Sequence, residues 1–516
     1  MTSALHPPVI LVAERSLSAD YACVFEGILA GMQTSFIPRL IETRLLAPPL
    51  PVSPEGRALR APLGLRRIET ALRSPGGLGS DEVVCTTPEA LPRLLGPWVK
   101  IVAISSGDPL GFAMSNTTTS AFNPGQLYPR LFTRELLASL TPARERWGFK
   151  IVFGGPGAWQ WFREPQDPFA DRIDHFFEGY FEAEGPAFFQ DLLNGRSRPR
   201  RVRAEGSAGP DVRPLLGPAT LGAVECSRGC GFGCGFCVMA DIPMFHFEPD
   251  LILADLRTNV ASGQPAALST SEDFFRYRGQ GPRVNPEAVL DLVGRMRQIP
   301  NLDFMQIDHA NVRSVLQFSP KDLATIRRQL PGAESSKYLW VNLGVETLNG
   351  PLLNQICPGK IGSPAAEEWP HMVDEAVNRL LEAGFFPVVS LILGLPGETS
   401  DDPRKARDWL RRWRHRPLTV FPIFHEPPGP LPADPPFTLA QMTRDHLSLF
   451  RECYETNFRW IPRLFWDNQR LAGVPIGRRL LYQILGRAEV LLWRSKFMAL
   501  GCMKVRAKSR DPGRAR

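Results

Sequence analysis

The sequence feature that most constrains the fold is a cysteine-rich stretch at residues 225–237, which reads ECSRGCGFGCGFC. Within it, Cys230, Cys234 and Cys237 follow the spacing C-x-x-x-C-x-x-C. Three thiolates in one short loop suit a soft metal centre, and a four-iron, four-sulfur (4Fe-4S) cluster held by three of them keeps one iron free of thiolate. Glycines alternate with these cysteines, so the backbone can wrap closely round a cluster and donate N–H groups to its sulfurs. The motif therefore predicts a cluster loop with one open iron.

Length and charge place the chain among globular proteins of about two to three domains. It has 516 residues, of which 43% are hydrophobic and 22% are charged, and its formal net charge is +7. The excess of positive charge lies at the C-terminal end, because residues 477–516 contain 11 Lys and Arg against 2 acidic residues. A nucleic-acid-binding protein carries its basic residues across a folded face rather than on a terminal segment. We therefore expect no nucleic-acid partner.

The other cysteines and the apolar runs indicate a cytoplasmic protein without a membrane span. Five of the nine cysteines are scattered, at Cys23, Cys85, Cys357, Cys453 and Cys502. This scatter is not the pattern of a disulfide framework, which favours a reducing compartment. Residues 1–16 lack a basic region ahead of their short apolar run, which predicts a first strand rather than a signal peptide. The late stretch 480–500 is interrupted by charged residues and cannot span a bilayer.

The N-terminal part predicts a sheet that is buried on both faces. The apolar runs at 8–13, 100–105 and 150–153 are continuous rather than alternating, which is typical of such strands. Helical stretches lie between them, one of them at 63–72. Strands that alternate with helices predict a parallel, doubly wound sheet, whose ligands bind at the carboxyl ends of the strands. We assign residues 1–193 to this α/β domain.

Two of these strands end in small residues that suit a ligand crevice. Ser105 and Ser106 follow the second run, and Gly154 and Gly155 follow the third. Small side chains and free backbone N–H groups at a strand end suit a large, flat or phosphate-bearing ligand. The alternative is that these residues only make tight connections between strand and helix. The residues alone leave both interpretations open.

Changes in composition divide the rest of the chain. Residues 194–213 are rich in Arg, Gly, Pro and Ser, which predicts a linker. Residues 214–426 carry further strand-helix units, and the proline-rich stretch 427–436 marks the next boundary. Residues 427–516 are predicted to form a helical C-terminal domain with a basic tail. The aromatic-rich face of 439–466 is expected to pack as core.

Six short apolar runs in the central region predict a partial (β/α)6 barrel. They lie at 221–225, 266–269, 304–307, 339–343, 388–393 and 420–424. In such barrels the active-site residues lie at the carboxyl ends of the strands. The polar and glycine residues that follow four of these runs are Ser271, Glu272 and Asp273; Gln306, Asp308, His309 and Asn311; Gly344 and Glu346; and Gly394, Gly397 and Glu398. One polar strand end is ordinary, whereas four consecutive ones indicate a site.

These motifs resemble those of the radical S-adenosylmethionine superfamily, with three cysteines after a first strand, acidic strand ends and a GLPGE loop. The resemblance implies that Cys230, Cys234 and Cys237 hold a 4Fe-4S cluster and that the methionyl amine and carboxylate of S-adenosylmethionine chelate the open iron. In that family, one electron from the cluster splits the sulfonium to a 5'-deoxyadenosyl radical, which abstracts hydrogen from the substrate. The open iron follows from the residues, and the radical chemistry from the resemblance.

The pattern SRGC followed by C-x-x-C, together with GLPGET at 394–399, is similar in particular to the branch with an N-terminal cobalamin-binding domain. It implies that the N-terminal sheet holds cobalamin and that Ser271, Glu272 and Asp273 replace the motif that binds the methionyl amine. The residues implied to contact the ribose or adenine of S-adenosylmethionine are Glu346, Gly394, Gly397 and Glu398.

One departure from the family pattern concerns cobalamin. The pattern D-x-H-x-x-G, whose histidine coordinates cobalt from below, is absent from residues 1–193. The histidines there are His6, ahead of the first strand, and His175, in an apolar context that favours a structural role. Bound cobalamin would then have water or another side chain beneath its cobalt. Alternatively, the domain no longer binds cobalamin.

Two further cysteines lie near the candidate sites. Cys226 directly precedes the cluster motif on the strand side, where a small buried thiol packs well. Cys357 follows the fourth barrel strand in the sequence NQICPGK. We interpret it as a passive cysteine at a helix end, with a substrate-handling thiol as the alternative.

The sequence thus predicts a cobalamin-dependent radical methyltransferase that acts on an unactivated carbon of a small molecule or peptide. It would take electrons from an external donor such as flavodoxin or ferredoxin. Two alternatives stay open: a cobalamin-independent radical enzyme that catalyses rearrangement or ring formation, and a non-catalytic cluster-bearing sensor. A tRNA methylthiotransferase is disfavoured, because its N-terminal domain needs further cluster cysteines and only Cys23 and Cys85 are present there.

Overall fold

The computed structural model describes residues 5–204, 209, 211–362, 366–432 and 434–509. Its elements form an N-terminal parallel sheet with helices, a central partial barrel and two long C-terminal helices. This is the mixed α/β architecture that the alternation of strand and helix signals predicted. No helix within these ranges is both long and apolar enough to cross a membrane.

Six parallel strands form the N-terminal sheet, in the order β2-β1-β3-β4-β5-β6. They are β1 (Val9–Ala13), β2 (Val83–Thr86), β3 (Ile101–Ser105), β4 (Lys150–Gly154), β5 (His175–Glu178) and β6 (Arg201–Arg203). The strand order reverses between β1 and β3, so the ligand crevice of this topology lies at the carboxyl ends of those two strands. The runs predicted at 8–13, 100–105 and 150–153 correspond to β1, β3 and β4. Strand β6 lies inside the segment predicted as a linker, and the boundaries at 193 and 213 stay predictions.

The two faces of this sheet are covered by separate hydrophobic clusters. Ile10 and Val12 of β1 pack on one side and Val9, Leu11 and Ala13 on the other, and all five are fully buried. Successive side chains of a strand point to opposite faces, so a continuous apolar run requires cover on both. The helices of this part are α1 (Val24–Gly31), α2 (Arg39–Ile41), α3 (Leu63–Leu72), α4 (Met114–Phe122), α5 (Tyr128–Trp147) and α6 (Phe181–Leu193).

Two parallel sheets, in the orders β11-β10-β7 and β12-β13-β14-β15, form the partial barrel. The strands of this region are β7 (Ala223–Val224), β8 (Ser227–Arg228), β9 (Phe245–His246), β10 (Ala266–Ser269), β11 (Phe304–Gln306), β12 (His309–Asn311), β13 (Leu339–Glu346), β14 (Phe385–Leu393) and β15 (Thr419–Phe424). Strands β8 and β9 form a short antiparallel pair beside the cysteine motif. Each of the six predicted runs overlaps a strand, and the additional β12 follows β11 closely and begins the second sheet.

Helices cover the outside of the barrel and continue into the C-terminal region. They are α7 (Pro249–Ala261), α8 (Pro286–Arg297), α9 (Val312–Leu316), α10 (Pro320–Gln329), α11 (Gly350–Ile356), α12 (Pro358–Ile361), α13 (Trp369–Glu382), α14 (Asp402–Trp413), α15 (Arg444–Leu471) and α16 (Ile476–Ser509). Thr443 and His446 form a capping box that starts α15. Phe450 and Tyr454 of α15 pack against Trp493 of α16, so the aromatic face predicted as core joins the two helices.

Candidate functional site

The carboxyl ends of the N-terminal sheet face the carboxyl ends of the barrel. Thr118, in the helix after β3, accepts a hydrogen bond at Oγ1 from the last backbone N–H of β15 at 2.7 Å. Arg163, after β4, pairs with Glu426, after β15. Glu182, after β5, pairs with Arg228, after β7. The segments after three neighbouring strands of the N-terminal sheet thus contact both the first and the last strand of the barrel. The two ligand-binding edges therefore open towards each other.

Several polar side-chain atoms at these strand ends are buried without a hydrogen-bond partner among the described residues. They are Ser106 Oγ, Asn116 Oδ1 and Tyr180 OH from the N-terminal part, and Ser227 Oγ, Arg228 Nη1 and Glu272 Oε2 from the barrel. An unsatisfied buried polar atom costs about 1–3 kcal/mol. Native structures keep few such atoms, so these six are candidates for contacts with a polar ligand at the two facing edges.

Glu225, the first residue of the cysteine-rich stretch, is the centre of a buried ion cluster. Its carboxylate accepts hydrogen bonds from Arg228 Nε at 2.6 Å and from Arg67 Nε at 2.8 Å, and Arg67 also pairs with Asp255. Burial raises the pKa of Glu225, but the two guanidinium groups outweigh it and lower the pKa to about 2. The Glu and Arg of the motif therefore hold the start of the loop against both α3 and α7.

The backbone of the cysteine loop is hydrogen-bonded to the segment that comes after it in the chain. Cys230 N donates a hydrogen bond to Ile242 O at 3.1 Å. Gly229 is required where the loop begins, because its φ is +77° and a Cβ there would lie 2.5 Å from Pro243 O. Gly233 also has a positive φ, +68°, but a Cβ there would meet nothing within 4 Å. The loop is therefore tight at its start and open at its tip.

Two of the three motif thiols have N–H donors beside them. Arg276 Nη1 lies 3.7 Å from Cys230 Sγ and donates to the Cys230 carbonyl at 3.0 Å. Met239 N donates to Cys237 Sγ at 3.4 Å. Burial raises the pKa of Cys230 to about 11 and also raises that of Cys237. The donors stand where negatively charged sulfur would need them.

Cys234 is the motif thiol whose pKa is lowered. The main cause is a hydrogen bond from the Cys357 thiol, and the ammonium of Lys360 adds to it. Cys357 lies between α11 and α12 and is fully buried. The sequence placed Cys357 at a helix end, which is where it lies, but did not show that this helix end contacts the cysteine loop.

Three thiols are the type of donor that an iron–sulfur cluster takes. In the part of the chain that the structure describes, no three His, Cys, Asp or Glu side chains are placed to hold one metal ion. A 4Fe-4S cluster binds each thiolate at a different iron, so its ligands need not converge on a point. Cys226 does not join this set: it is fully buried and accepts a hydrogen bond from Ser269 Oγ at 3.3 Å, as its interpretation as a core thiol requires.

Ser271, Glu272 and Asp273 follow β10 but have different surroundings. Asp273 is fully buried in the core, where Asn311 Nδ2 donates to its Oδ2 at 3.0 Å and Ser314 also donates. Ser271 Oγ lies in the core, 3.4 Å from Ser269 Oγ. Burial raises the pKa of Glu272 to about 7, and the charge of Glu225 adds to this. Glu272 Oε2 and Asp273 Oδ1 both lack a hydrogen-bond partner among the described residues. Asp273 is fully buried whereas Glu272 is half-buried, so the Glu272 carboxylate is the more available to a ligand.

Glu346 ends β13 with a strained backbone. Its φ is +64°, and the register of the ladder shifts between Gly344 and Glu346. Its carboxylate pairs with Lys360 and accepts a hydrogen bond from Ser390 Oγ at 3.0 Å. A non-glycine residue in this region of φ persists only where its surroundings hold it, and such residues cluster at functional sites.

The loop at 394–398 is closed by its own glutamate. Glu398 Oε2 accepts a hydrogen bond from Gly394 N at 3.1 Å, and Glu398 Oε1 contacts His446 of the α15 capping box. Gly394 has φ +79°, and a Cβ there would overlap the ring of Phe437. Gly397 has φ +89°. Both carboxylate oxygens of Glu398 are therefore engaged within the protein, which leaves the backbone of the loop for ligand contact.

Ser105, Ser106, Gly154 and Gly155 lie together at the crevice of the N-terminal sheet. Gly155 has φ +93°, and a Cβ there would lie 2.6 Å from Ser106 O and 2.8 Å from Ser105 Oγ. Ser106 N donates to Gly154 O at 3.2 Å. The glycines thus allow two strand-end turns to pack against each other, which is the tight-connection role weighed above. Asn116, in the helix after β3, adds its unpartnered Oδ1 to the same edge.

Two further groups lie at these edges: Tyr180, which the sequence did not single out, and His309, which it placed among the polar strand ends. Tyr180, after β5, has its ring 4.7 Å from the Arg228 guanidinium, and burial raises the pKa of its hydroxyl. His309, which begins β12, keeps 49% of its side chain exposed while its Nδ1 lies 3.0 Å from Asp308 Oδ2. Tyr180 lies two residues after β5 and His309 three residues after β11, so position after a strand is the sequence signal that both share.

Curated proteins match a part of this chain in sequence. No protein-family model matches the chain. A tRNA-2-methylthio-N(6)-dimethylallyladenosine synthase from Rickettsia felis is 24% identical over 231 residues, which are 43% of this chain and 46% of the relative. A synthase of the same name from Rickettsia rickettsii is 23% identical over 237 residues, 45% of this chain and 48% of the relative. The matched part of the chain thus spans about half the length of these curated relatives.

Two solved structures of TsrM, a radical S-adenosylmethionine methyltransferase from Kitasatospora setae, share the fold. One, with tryptophan substrate and an S-adenosylmethionine analogue bound, has a TM-score of 0.52 at 15% identity and covers 81% of this chain and 73% of that chain. The other, with cobalamin and a 4Fe-4S cluster bound, has a TM-score of 0.51 at 13% identity and covers 86% of this chain and 81% of that chain. The chain therefore has the fold of TsrM, which is the fold that its resemblance to the radical S-adenosylmethionine superfamily implied.

Proposed function

We propose that this protein is a cobalamin-dependent radical S-adenosylmethionine methyltransferase that acts on an unactivated carbon of a small molecule or peptide. The observation that carries the proposal is that the carboxyl edge of the N-terminal sheet faces the carboxyl edge of the barrel. The pairs Arg228–Glu182 and Arg163–Glu426 hold the edges in this arrangement. Ligands of both folds bind at these edges, so cofactors on the two sides would share one reaction space.

Cys230, Cys234 and Cys237 are proposed to hold a 4Fe-4S cluster. When bound, this cluster and cobalamin supply an electron for the cleavage of S-adenosylmethionine and a carrier for its methyl group. Arg276 and the backbone N–H of Met239 would balance the negative charge of the sulfurs, since they already lie beside Cys230 and Cys237. An external donor such as flavodoxin or ferredoxin is proposed to deliver the electron.

Glu272 is proposed to receive the methionyl ammonium of S-adenosylmethionine. Its Oε2 is buried and has no partner among the described residues, and Gly229 at the start of the cysteine loop lies beside its carboxylate. An ammonium group would satisfy this oxygen and offset the cost of burying it. Ser271 and Asp273 would support Glu272 from the core. Glu346 and the loop residues Gly394, Gly397 and Glu398 are proposed to contact ribose or adenine. The loop residues would make this contact through their backbone.

The crevice formed by Ser105, Ser106, Gly154 and Gly155 is proposed to hold cobalamin. Ser106 Oγ and Asn116 Oδ1 are buried and unpartnered, and these hydroxyl and amide oxygens suit the amide groups on the edge of a corrin ring. This fit rests on the donor and acceptor chemistry of the crevice.

Neither histidine of the N-terminal sheet lies at that crevice. His6 precedes β1, and His175 is the first residue of β5, so both are at the amino ends of their strands. A four-residue strand is about 13 Å long, which separates them from the carboxyl edge. His175 Nδ1 instead lies 2.9 Å from Pro199 O. A cobalt bound at the crevice would therefore have no histidine of this sheet beneath it.

The missing histidine favours one alternative, a radical enzyme that works without cobalamin. The names of the curated relatives suggest another, methylthiolation of tRNA, but Cys23 and Cys85 pack in different hydrophobic clusters and no third cysteine accompanies them in residues 1–193. That arrangement does not supply three thiolates for a second cluster. We therefore do not propose methylthiolation.

The proposal is tested by anaerobic reconstitution of the full chain with iron and sulfide. We expect about four irons per chain, 5'-deoxyadenosine or S-adenosylhomocysteine from S-adenosylmethionine under reduction, and corrin absorption that stays with the protein after gel filtration with cobalamin. The control is the triple variant Cys230→Ala, Cys234→Ala, Cys237→Ala, which should hold no cluster. A loaded protein that retains no corrin supports the cobalamin-independent alternative, and one that forms neither nucleoside product supports the sensor.

A further inference from the structure

Helix α16 has apolar side chains on two opposite faces. Its inner face is packed, because the centre of the Trp493 ring lies 4.4 Å from that of Tyr454 in α15 and 5.3 Å from that of Phe122 in α4. Its outer face carries an apolar stripe of five residues, each between 51% and 67% exposed: Ile476, Leu480, Ile484, Leu491 and Met498. The protein thus covers the first face and leaves the second to solvent.

The five residues of the apolar stripe are aligned along the helix. At about 100° per residue, positions 476, 480, 484, 491 and 498 all fall within about 40° of one line. From Ile476 to Met498 the stripe is about 33 Å long. Single exposed hydrophobic residues are ordinary on a protein surface, whereas a contiguous exposed row of this length marks an interaction site.

The charge that accompanies the apolar stripe is positive. Arg487 lies within the stripe, exposed and without an ion-pair partner among the described residues. Residues 477–516 contain 11 Lys and Arg against 2 acidic residues, and 6 of these basic residues come after Met498 in the sequence. Aliphatic residues accompanied by Lys and Arg are typical of helices that lie on the surface of an anionic bilayer.

A second copy of this chain fits the apolar stripe poorly. Two copies of one helix face pair about a two-fold axis, so every residue meets its counterpart in a parallel pair, and the central residue does so in an antiparallel pair. Arg487 is the central residue, midway between Ile476 and Met498. Both arrangements would therefore bring two guanidinium groups together within an apolar interface, which is unfavourable.

A bilayer accommodates the same residues without this conflict. The aliphatic stem of Arg487 can lie beside the apolar stripe while its guanidinium reaches a lipid phosphate. A convex row on one helix offers no pocket to the side chains of a partner protein, whereas a fluid bilayer adapts to it.

We propose that the outer face of α16 binds the surface of an anionic membrane, with the apolar stripe in the headgroup layer and Arg487 on lipid phosphate. The helix lies along the interface and does not cross it, because its inner face stays packed on α15 and α4. This inference does not depend on the proposed function.

The inference is tested by flotation of the full chain with lipid vesicles in a density gradient. We expect the wild type to float with phosphatidylcholine vesicles that contain about one quarter phosphatidylglycerol, and to stay behind with phosphatidylcholine alone. Raising the salt concentration to about 0.5 M should weaken the binding, because salt screens the attraction between exposed charges.

The triple variant Leu480→Gln, Ile484→Gln, Leu491→Gln should bind the anionic vesicles at least about tenfold more weakly, because three aliphatic side chains no longer enter the bilayer. The three positions are exposed and Gln is a good helix former, so the fold should be kept. Circular dichroism and urea unfolding check that it is.

The matched control is the triple variant Leu59→Gln, Leu216→Gln, Leu431→Gln, which removes three exposed leucines from segments outside α16. It should bind like the wild type. Arg487→Gln should bind about fivefold more weakly, which is the effect of one basic residue near an anionic surface.

A wild-type chain that does not float with the anionic vesicles overturns the inference, and so does equal flotation of the two triple variants. Equal binding to both kinds of vesicle also overturns it, because charge would then play no part. Gel filtration with light scattering detects the other occupant. A wild-type dimer that becomes a monomer in the α16 triple variant would assign the stripe to a second copy and overturn the inference.

Discussion

Arg228 and Glu182 form a buried ion pair that joins the barrel to the N-terminal sheet, with Arg228 Nη2 and Glu182 Oε1 2.8 Å apart and neither side chain more than 7% exposed. Arg228 also holds Glu225 at the start of the cysteine loop. One residue of the SRGC pattern thus connects the loop to the edge of the other sheet. These two ion pairs give Arg228 a structural role, although it is not a ligand of the proposed cluster.

Arg228→Gln should destabilise the protein strongly. The variant leaves Glu182 without its ion partner and removes one of the two guanidinium groups of Glu225, and breaking a buried pair in this way costs about 3–5 kcal/mol. Urea unfolding at pH 7 measures the free energy. The control is Arg494→Gln, which breaks the exposed pair with Glu455 and should cost at most about 1 kcal/mol. Equal losses in the two variants would contradict this account of the interface.

Gly229→Ala should impair cluster assembly more than Gly233→Ala. Both residues have a positive φ, so each substitution carries a backbone cost of about 1 kcal/mol. Only at Gly229 does the new Cβ also meet backbone, 2.5 Å from Pro243 O, so the loop must move there. Iron per chain after identical reconstitution is the measurement. We expect clearly less iron in Gly229→Ala and nearly wild-type iron in Gly233→Ala, and the reverse order would show that the tip of the loop is the tighter part.

Glu272→Gln should weaken the binding of S-adenosylmethionine while leaving the iron content unchanged. The carboxylate has an unpartnered buried oxygen, and its pKa is raised to about 7, chiefly by burial. Binding to the wild type should therefore strengthen as the pH rises from 6 to 8 and Glu272 ionises, since only the ionised form attracts an ammonium. Equilibrium binding at several pH values gives both results. In Glu272→Gln this pH dependence should disappear, and a variant that retains it would assign the effect to another group.

The sequence predicted the elements whose signal is local and missed those that depend on distant partners. Continuous apolar runs identify β1, β3 and β4 because both faces of those strands are buried. The edge strand β6 is Arg-Val-Arg and carries no such signal. Strand β12 contains His and Asn and is defined by its pairing with β13.

Within the site, residue type and spacing identified the three motif cysteines, but not the surroundings of the acids. Glu398 is engaged by His446 and Asp273 by Ser314, both more than 40 residues later in the chain. The segment that carries Cys357 contacts the cysteine loop, because Gly235 N donates a hydrogen bond to Ile356 O at 3.0 Å and Gly359 N donates to Phe232 O at 3.3 Å. Such partners follow from tertiary packing, which a single sequence does not display.

Glu42→Gln should stabilise the protein at alkaline pH. Glu42 is fully buried, neither carboxylate oxygen has a partner among the described residues, and burial raises its pKa to about 8. A carboxyl whose pKa is higher in the folded than in the unfolded state destabilises the fold as the pH rises from about 4.5 towards 8, because the unfolded chain releases that proton more readily.

At pH 8.5 the free energy of unfolding of Glu42→Gln should therefore exceed that of the wild type by about 1–3 kcal/mol. At pH 4.5 the difference should shrink, since both states of the wild type then keep much of the proton. Urea unfolding at the two pH values measures this, with Glu145→Gln as a control for the loss of an exposed glutamate from the N-terminal part of the chain. A gain that is equal at both pH values would mean that Glu42 contributes through packing and not through its charge.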